Sequence, residues 1–210
     1  MKYKILLIGP QGSGKGTQAK KISEKLNIPI FSVGNILRQR SQEDDDLARK
    51  IREKIDIGLL APDELVNSIV QEKIEEKGGE GYILDGYPRN MAQAEYLHNY
   101  QELTHVLMID VSDEMSLKRI SGRRTCPKCQ AVYHLDFKTP KVEGICDIDG
   151  EKLENRKDDT PDAIRGRLEI YHKQTKPIID FYQKQGLVHE VNGEQNMENV
   201  DKEAQSVLKI

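Results

Sequence analysis

Five short apolar runs punctuate the chain: Tyr3–Ile8, Pro29–Val33, Tyr82–Leu84, Val106–Val111 and Leu187–Val191. Each is about the length of a buried strand and is bounded by polar or turn-forming residues. Segments of helical spacing lie between them. Lys15 to Leu26 repeats apolar residues at Ala19, Ile22 and Leu26, and the stretch from Val33 to Gly79 reads as successive helices. One of these starts at Ala61-Pro62-Asp63-Glu64, with proline at the first helical position and acids in the first turn, both favourable at a helix N-terminus. A long amphipathic helix is predicted from Thr160 (cap) and Pro161 to about Lys184, with Ile164, Leu168, Tyr171, Ile178 and Phe181 as its apolar stripe. This alternation predicts an α/β fold, a mainly parallel sheet with helices on both faces. Two stretches break the rhythm. Glu43-Asp44-Asp45-Asp46 reads as a solvated acidic run, and between Gly122 and Asp159 Cys, Gly, Pro and β-formers replace the helical pattern, as in a small inserted module.

The first strand runs straight into Gly9-Pro10-Gln11-Gly12-Ser13-Gly14-Lys15-Gly16-Thr17. Glycines let the backbone turn sharply with its N–H groups inward, and the following helix adds the positive end of its dipole. With Lys15, these features make a phosphate cradle. The general P-loop pattern wants Ser or Thr directly after the lysine; here Gly16 intervenes before Thr17. A second block, Gly81-Tyr82-Ile83-Leu84-Asp85-Gly86-Tyr87-Pro88-Arg89, ends a strand on a carboxylate and turns into an arginine. An acid at the carboxyl end of a strand beside a P-loop strand is well placed to hold magnesium, usually through water.

Charge and cysteine content narrow the classes. Lys and Arg number 32 against 35 Asp and Glu, a formal net charge of −3, which argues against a nucleic-acid coat or a membrane-surface protein. The longest wholly apolar runs, such as Ile5 to Ile8, are far too short for a membrane span or a signal-peptide core. A cytoplasmic protein is the expectation. All three cysteines fall between positions 126 and 146, an odd, clustered set that reads as metal-binding rather than disulfide-forming. Cys126-Pro-Lys-Cys129 and Cys146-Asp-Ile-Asp149 are two knuckles of equal spacing, so Asp149 takes the place of a fourth cysteine in a zinc site. Asp147 and His134 are the other candidates for that ligand. With no open coordination position, the expected role is structural, folding a module too small for a core of its own. The five histidines are scattered without a nucleophile nearby and read as structural or surface groups.

The loop G-x-x-G-x-G-K-G-T, Gly34-Asn35-Ile36-Leu37-Arg38, D-G-Y-P-R at 85–89 and Arg156-Lys157-Asp158-Asp159 occur in the order and spacing of adenylate kinases, and the knuckles resemble the lid of the long bacterial form. The resemblance spans essentially the whole chain. It implies a P-loop NTPase-like core with a five-stranded parallel sheet (1–31, 62–121 and 160–210), a helical nucleoside-monophosphate-binding insertion (32–61) and a zinc-containing lid (122–159). It implies ATP and AMP or ADP as partners, Mg2+ with ATP, structural Zn2+, no nucleic-acid or membrane partner, and a monomer. On the donor side, Gly12, Ser13, Gly14, Lys15, Gly16 and Thr17 would hold ATP phosphates, with Thr17 near magnesium. Arg119 and Arg123 would face ATP, with Val132 and Tyr133 near its base or ribose and Gln195 touching the base. On the acceptor side, Val33, Leu59, Leu60, Ala61, Gly86, Tyr87, Pro88 and Arg89 would line the AMP site, and Gln93 would read adenine. Arg38, Arg89, Arg156 and Arg167 would grip acceptor or transferring phosphates. Lys15, Arg89, Arg123, Arg156 and Arg167 form the implied catalytic set.

The chemistry suits this distribution. A phosphate acceptor is already anionic, so no general base is needed; charge neutralisation, alignment and exclusion of water are. A kinase for another nucleoside monophosphate, or one phosphorylating a hydroxyl with Asp85 as base, is the enzymatic alternative. A zinc-ribbon nucleotide switch binding nucleic acid or a partner is the alternative of another class. Asp158 and Asp159 could cap the helix that follows or form a lid-closing salt link. Three positions depart from the family pattern: Val33 for the usual threonine, Asn35 for the usual aspartate, and Pro10-Gln11 in the loop. Val33 removes one expected hydrogen bond to the acceptor, worth about 1 kcal/mol.

Overall fold

The computed structural model describes residues 2–210. Its elements run β1 (Tyr3–Ile8), α1 (Lys15–Leu26), β2 (Ile30–Ser32), α2 (Val33–Arg40), α3 (Asp46–Ile55), α4 (Asp63–Lys77), β3 (Gly81–Asp85), α5 (Met91–Tyr100), β4 (His105–Asp110), α6 (Asp113–Ser121), β5 (Arg123–Thr125), β6 (Val132–His134), α7 (Pro161–Ile170), α8 (Pro177–Gln183), β7 (Val188–Asn192) and α9 (Met197–Leu208). All five apolar runs are strands of one parallel sheet, ordered β2-β3-β1-β4-β7.

The alternation along β1 explains why both faces need helices. Leu6 and Ile8 join the larger core, with Phe31, Leu84, Val106 and Tyr182, whereas Ile5 and Leu7 point to the other face, against Ala19, Ile22, Leu107 and Val200. Sheet order reverses at β1, which has β3 on one side and β4 on the other. The crevice at such a switch point, beyond the carboxyl ends of the strands, is where an open α/β sheet binds ligands. The glycine-rich turn sits there.

Local details differ from the sequence reading. α4 begins at Asp63, with Pro62 as the residue before it in extended ψ, one position later than expected. The acidic run is more than a solvated face: Asp45 caps α3 by accepting from the Ala48 amide at 2.7 Å and pairs with Arg40 at 2.7 Å. Thr160 does cap α7, accepting from the Ala163 amide at 3.3 Å. The long helix is not uniform, however. Tyr171–Thr175 forms a π turn between α7 and α8, and this wide turn shifts the apolar phase so that Tyr182, rather than Phe181, is the fully buried residue.

A small module follows α6, built on a second, two-stranded sheet. β5 and β6 pair antiparallel, Arg123 opposite His134, and bridges join Thr125 to Glu154 and Ile145 to Lys152. Its core is only Cys126, Tyr133, Cys146 and Leu153, with Ala131 packed alongside.

Candidate active site

β1 delivers the loop, and a close approach dictates its first glycine: a Cβ on Gly9 would lie 2.2 Å from the Ile109 carbonyl oxygen. Gly14 precedes α1 in a left-handed conformation and offers no side-chain cap. The first amides of α1 are thereby left for an outside acceptor. Lys15 lies folded over the loop, donating to the Gly9 carbonyl at 2.7 Å and the Pro10 carbonyl at 2.8 Å. Burial lowers its pKa to about 8; Asp85 opposes that shift, while Arg89, Arg167 and Arg123 add to it.

Asp85 ends β3 in register with Leu7 of β1. Its carboxylate accepts from the Ser32 hydroxyl at 3.2 Å and would be 3.8 Å from a Cβ on Gly16. A carboxylate beside the start of α1 suits a magnesium ion held with a nucleotide phosphate, since hard cations take oxygen donors.

Two adjoining clefts open above the sheet. One, of about 570 Å³, is lined by Val33, Arg38, Leu59, Leu60, Ala61, Gly86, Arg89, Gln93 and Arg167, so most of the expected acceptor set converges on one space. The other, of about 550 Å³, is lined by Gly9, Lys15 and Pro88 and shares Gly58, Leu60, Gly86, Arg89 and Arg167 with the first. Arg89 and Arg167 are therefore common to the wall of the phosphate loop's cleft and that of the acceptor cleft.

The arginines are held individually. Arg89 donates Nε to the Gly86 carbonyl at 2.9 Å, and Arg156 donates Nε to the Thr125 hydroxyl at 3.1 Å. Arg38 bonds Asn35. Arg167 pairs with Asp158 at 2.7 Å, and Arg123 forms a forked pair with Asp159, its Nε at 2.9 Å. The open question about Asp158 and Asp159 is thus resolved toward ion pairs, with Thr160 taking the cap. Burial, above all, depresses the pKa of Arg38, Arg89, Arg156 and Arg167, and mutual repulsion adds to it. Guanidinium groups stay charged nonetheless. The result is a focused cationic field, suited to polyanions.

Several expected contacts lie elsewhere. Tyr87 is 1% exposed, its hydroxyl donating to Asn67 at 2.7 Å, so its side chain belongs to the core and not to the acceptor wall. Tyr133 turns into the module's core, where its hydroxyl accepts from the Asp147 amide at 2.8 Å and lies 3.5 Å from the Cys146 sulfur; that side chain is not free to face a nucleotide. Val132 is exposed on the same strand. Arg156 lines neither cleft. Arg119 ties the loop down, donating to the Gly193 carbonyl at 2.8 Å and the Gly12 carbonyl at 3.4 Å. The Gln195 amide donates to Glu203 at 2.6 Å.

Gly58 and Thr175 carried no recognised signal in the sequence, and two of the departures gain a structural setting. Gly58 adopts φ +80, and a Cβ there would meet Arg167 side-chain carbons at 3.1 Å; the glycine just before Leu59-Leu60-Ala61 was the available clue. Gln11, one of the departures, donates to the Ile164 carbonyl at 3.0 Å and fastens the loop to α7. Val33 is buried in the main core as well as lining the cleft. Thr175, from the π turn, donates to the Arg89 carbonyl at 2.7 Å.

In the small module, ligand atoms of Cys126, Cys129, Cys146 and Asp149 lie within 4.8 Å of one another. Cys129 and Cys146 sulfurs are 3.6 Å apart, and Cys126 sulfur is 3.3 Å from Asp149. Three soft sulfurs and a carboxylate at these separations match a closed tetrahedral zinc site. The rival fourth ligands lie outside this cluster of ligand atoms; Asp147 accepts from the Lys141 amide at 2.8 Å and His134 Nδ1 from the Asp136 amide at 2.9 Å.

The family model described as adenylate kinase matches residues 7–187. The adenylate kinase of Caldanaerobacter subterraneus subsp. tengcongensis is 42% identical over 211 residues, covering 98% of this chain and 96% of its own. That of Clostridium botulinum is 44% identical over 203 residues, covering 94% of each. That of Caldicellulosiruptor bescii is 41% identical over 213 residues, covering 99% of each. Matches of this extent span nearly the whole chain, and the chain belongs to the adenylate kinase family, the nucleoside monophosphate kinases that transfer a phosphoryl group to a phosphate acceptor.

Proposed function

We propose that this protein moves the terminal phosphoryl group of ATP onto AMP, reversibly, giving two ADP. The observation that carries this reading is the shared wall: Arg89 and Arg167 belong both to the cleft at Lys15 and to the acceptor cleft. Two polyanions bound on either side would be charge-compensated where they meet. The backbone of Gly12 to Thr17 and Lys15 hold the donor phosphates in this reading, with Arg119 fastening the loop and Arg123 supplied by the lid. Arg38, Arg89, Arg156 and Arg167 hold the acceptor and transferring phosphates, while Val33, Leu59, Leu60 and Ala61 pack against the acceptor nucleoside and Gln93 reads its base. Asp158 and Asp159 occupy arginines that phosphates would otherwise claim. Rate enhancement then comes from alignment, charge stabilisation and exclusion of water, without a general base.

Adenylate kinases use Mg2+ with ATP; bound here through Thr17 and water-linked Asp85, it would screen the phosphate charge. Zinc on Cys126, Cys129, Cys146 and Asp149 would be structural. The unit boundaries proposed are 1–31, 62–121 and 160–210 for the core, 32–61 for the acceptor insertion and 122–159 for the lid. Among the described residues, no helix is long and apolar enough to cross a membrane; a monomeric cytoplasmic enzyme is part of this proposal. A coupled assay with ATP and each of AMP, GMP, CMP and UMP tests it. Turnover with AMP well above the others is expected, and absence of turnover with AMP overturns it.

A further inference from the structure

Gln93 lines the acceptor cleft yet is 2% exposed, and both ends of its amide are engaged. Its Oε1 accepts from the Arg89 backbone amide at 2.8 Å, and its Nε2 donates to Asp63 Oδ1 at 2.6 Å. A primary amide has two N–H donors and two lone pairs. One donor and one acceptor site therefore remain on the Gln93 amide, which lines the cleft. Their order is dictated by the partners. An ionised carboxylate only accepts and a backbone N–H only donates, so inverting the amide would set donor against donor at Arg89 and acceptor against acceptor at Asp63. Asp63 is itself held: Asn90 Nδ2 donates to its two oxygens at 2.9 and 3.1 Å, while Asn90 Oδ1 caps α5 by accepting from the Gln93 amide N–H at 2.9 Å.

We infer that Asp63 is a positioning residue for base choice: it fixes which end of the Gln93 amide donates, and so selects a 6-aminopurine over a 6-oxopurine monophosphate. A 6-aminopurine presents a ring-nitrogen acceptor beside an amino donor, complementary to the amide as held. A 6-oxopurine presents an N–H donor beside a carbonyl acceptor and fits only the inverted amide. The inference rests on Gln93 being the base reader, as proposed above.

The test is kcat/KM for AMP and for IMP, with ATP as donor, in the parent protein, Asp63→Asn, Gln93→Leu and the double variant. An Asn amide at 63 can offer Gln93 either a donor or an acceptor, which removes one of the two constraints. The AMP-to-IMP ratio is expected to fall about tenfold in Asp63→Asn, the equivalent of one misdirected hydrogen bond, with KM for ATP unchanged. Asp63→Glu, which stays acceptor-only, retains more of the ratio. Gln93→Leu also lowers the ratio, and adding Asp63→Asn to it lowers the ratio no further. If Gln93→Leu lowers the ratio while Asp63→Asn weakens AMP and IMP equally or not at all, Asp63 is merely structural and the inference is overturned, with Gln93 still the reader. If neither variant moves the ratio, Gln93 is not the reader and both readings fall. Should Asp63→Asn not fold, Asp63→Ser, whose hydroxyl also donates or accepts, is read by the same criteria.

Discussion

Two regions outside the five-stranded sheet, residues 33–61 and the module around β5 and β6, are held together by different physics. The first leans on the body of the protein. Val33, Leu37, Ile51 and Ala61 belong to the same buried cluster as Leu6, Leu84 and Tyr182 of the core. The second has a cluster of its own with two cysteines among its four buried members, and its remaining order comes from short antiparallel pairing and turns. Buried apolar side chains contribute about 1.5–3 kcal/mol each, so a cluster so small cannot offset the ordering entropy of the segment. A closed metal site can, with binding free energies on the order of 10 kcal/mol in small zinc modules. One region is thus an extension of the hydrophobic core, and the other, on the proposed reading, depends on a metal at its cysteine cluster.

The largest expected effect strikes the second. Chelation of the metal, or Cys146→Ser, should lower the melting temperature steeply in calorimetry, while initial turnover at low temperature changes far less. An unchanged melting curve would remove the structural role of the cluster. Ile51→Ala applies the matching stress to the first region: Ile51 is completely buried, and such truncations cost about 2–5 kcal/mol. Denaturant unfolding should register that loss with metal content unaltered, and KM for the acceptor should rise more than KM for ATP. Loss of metal on Ile51→Ala would mean the two regions are not independent.

A finer break comes at Gly58, where the first region meets Arg167. Alanine there must hold φ near +80 and push its Cβ to 3.1 Å from the arginine side chain, a strain of about 1–3 kcal/mol. The acceptor's KM should rise with little change for ATP; equal effects on both would place the damage in overall folding. The mildest perturbation is pH, and it probes the loop that carries Lys15. Lys15 has a folded pKa of about 8, below its ordinary value, because of burial. It is charged below that pH and neutral above it. kcat/KM for ATP should therefore fall as pH rises through about 8, and Lys15→Arg should lack this alkaline fall. Because the unfolded chain keeps the proton to higher pH, this group's contribution makes folding more favourable over the same rise, so lost activity there would not reflect unfolding.

Local features were legible in the sequence. The phosphate loop and α1 follow from neighbouring residues, and all five strands from short apolar runs. Asp149 followed from equal knuckle spacing, which places a fourth donor as the first pair does. The acceptor set came from resemblance, and the cleft gathers most of it. Tyr87 and Tyr133 lie beside cleft-lining or exposed residues in sequence, yet their side chains point inward, a choice made by packing.

By itself the sequence determined the elements, the family and the chemistry on offer, because periodicity, caps and close motif spacing act over a few residues. Tertiary structure alone decided which charges meet. The pairing of Arg123 with Asp159 and Arg167 with Asp158, the bond from Thr175 to Arg89, and the Asp63–Gln93–Arg89 chain join residues from separate elements. The reason is geometric: a parallel sheet brings the carboxyl ends of its strands and the starts of their helices to one edge, whatever distance separates them along the chain.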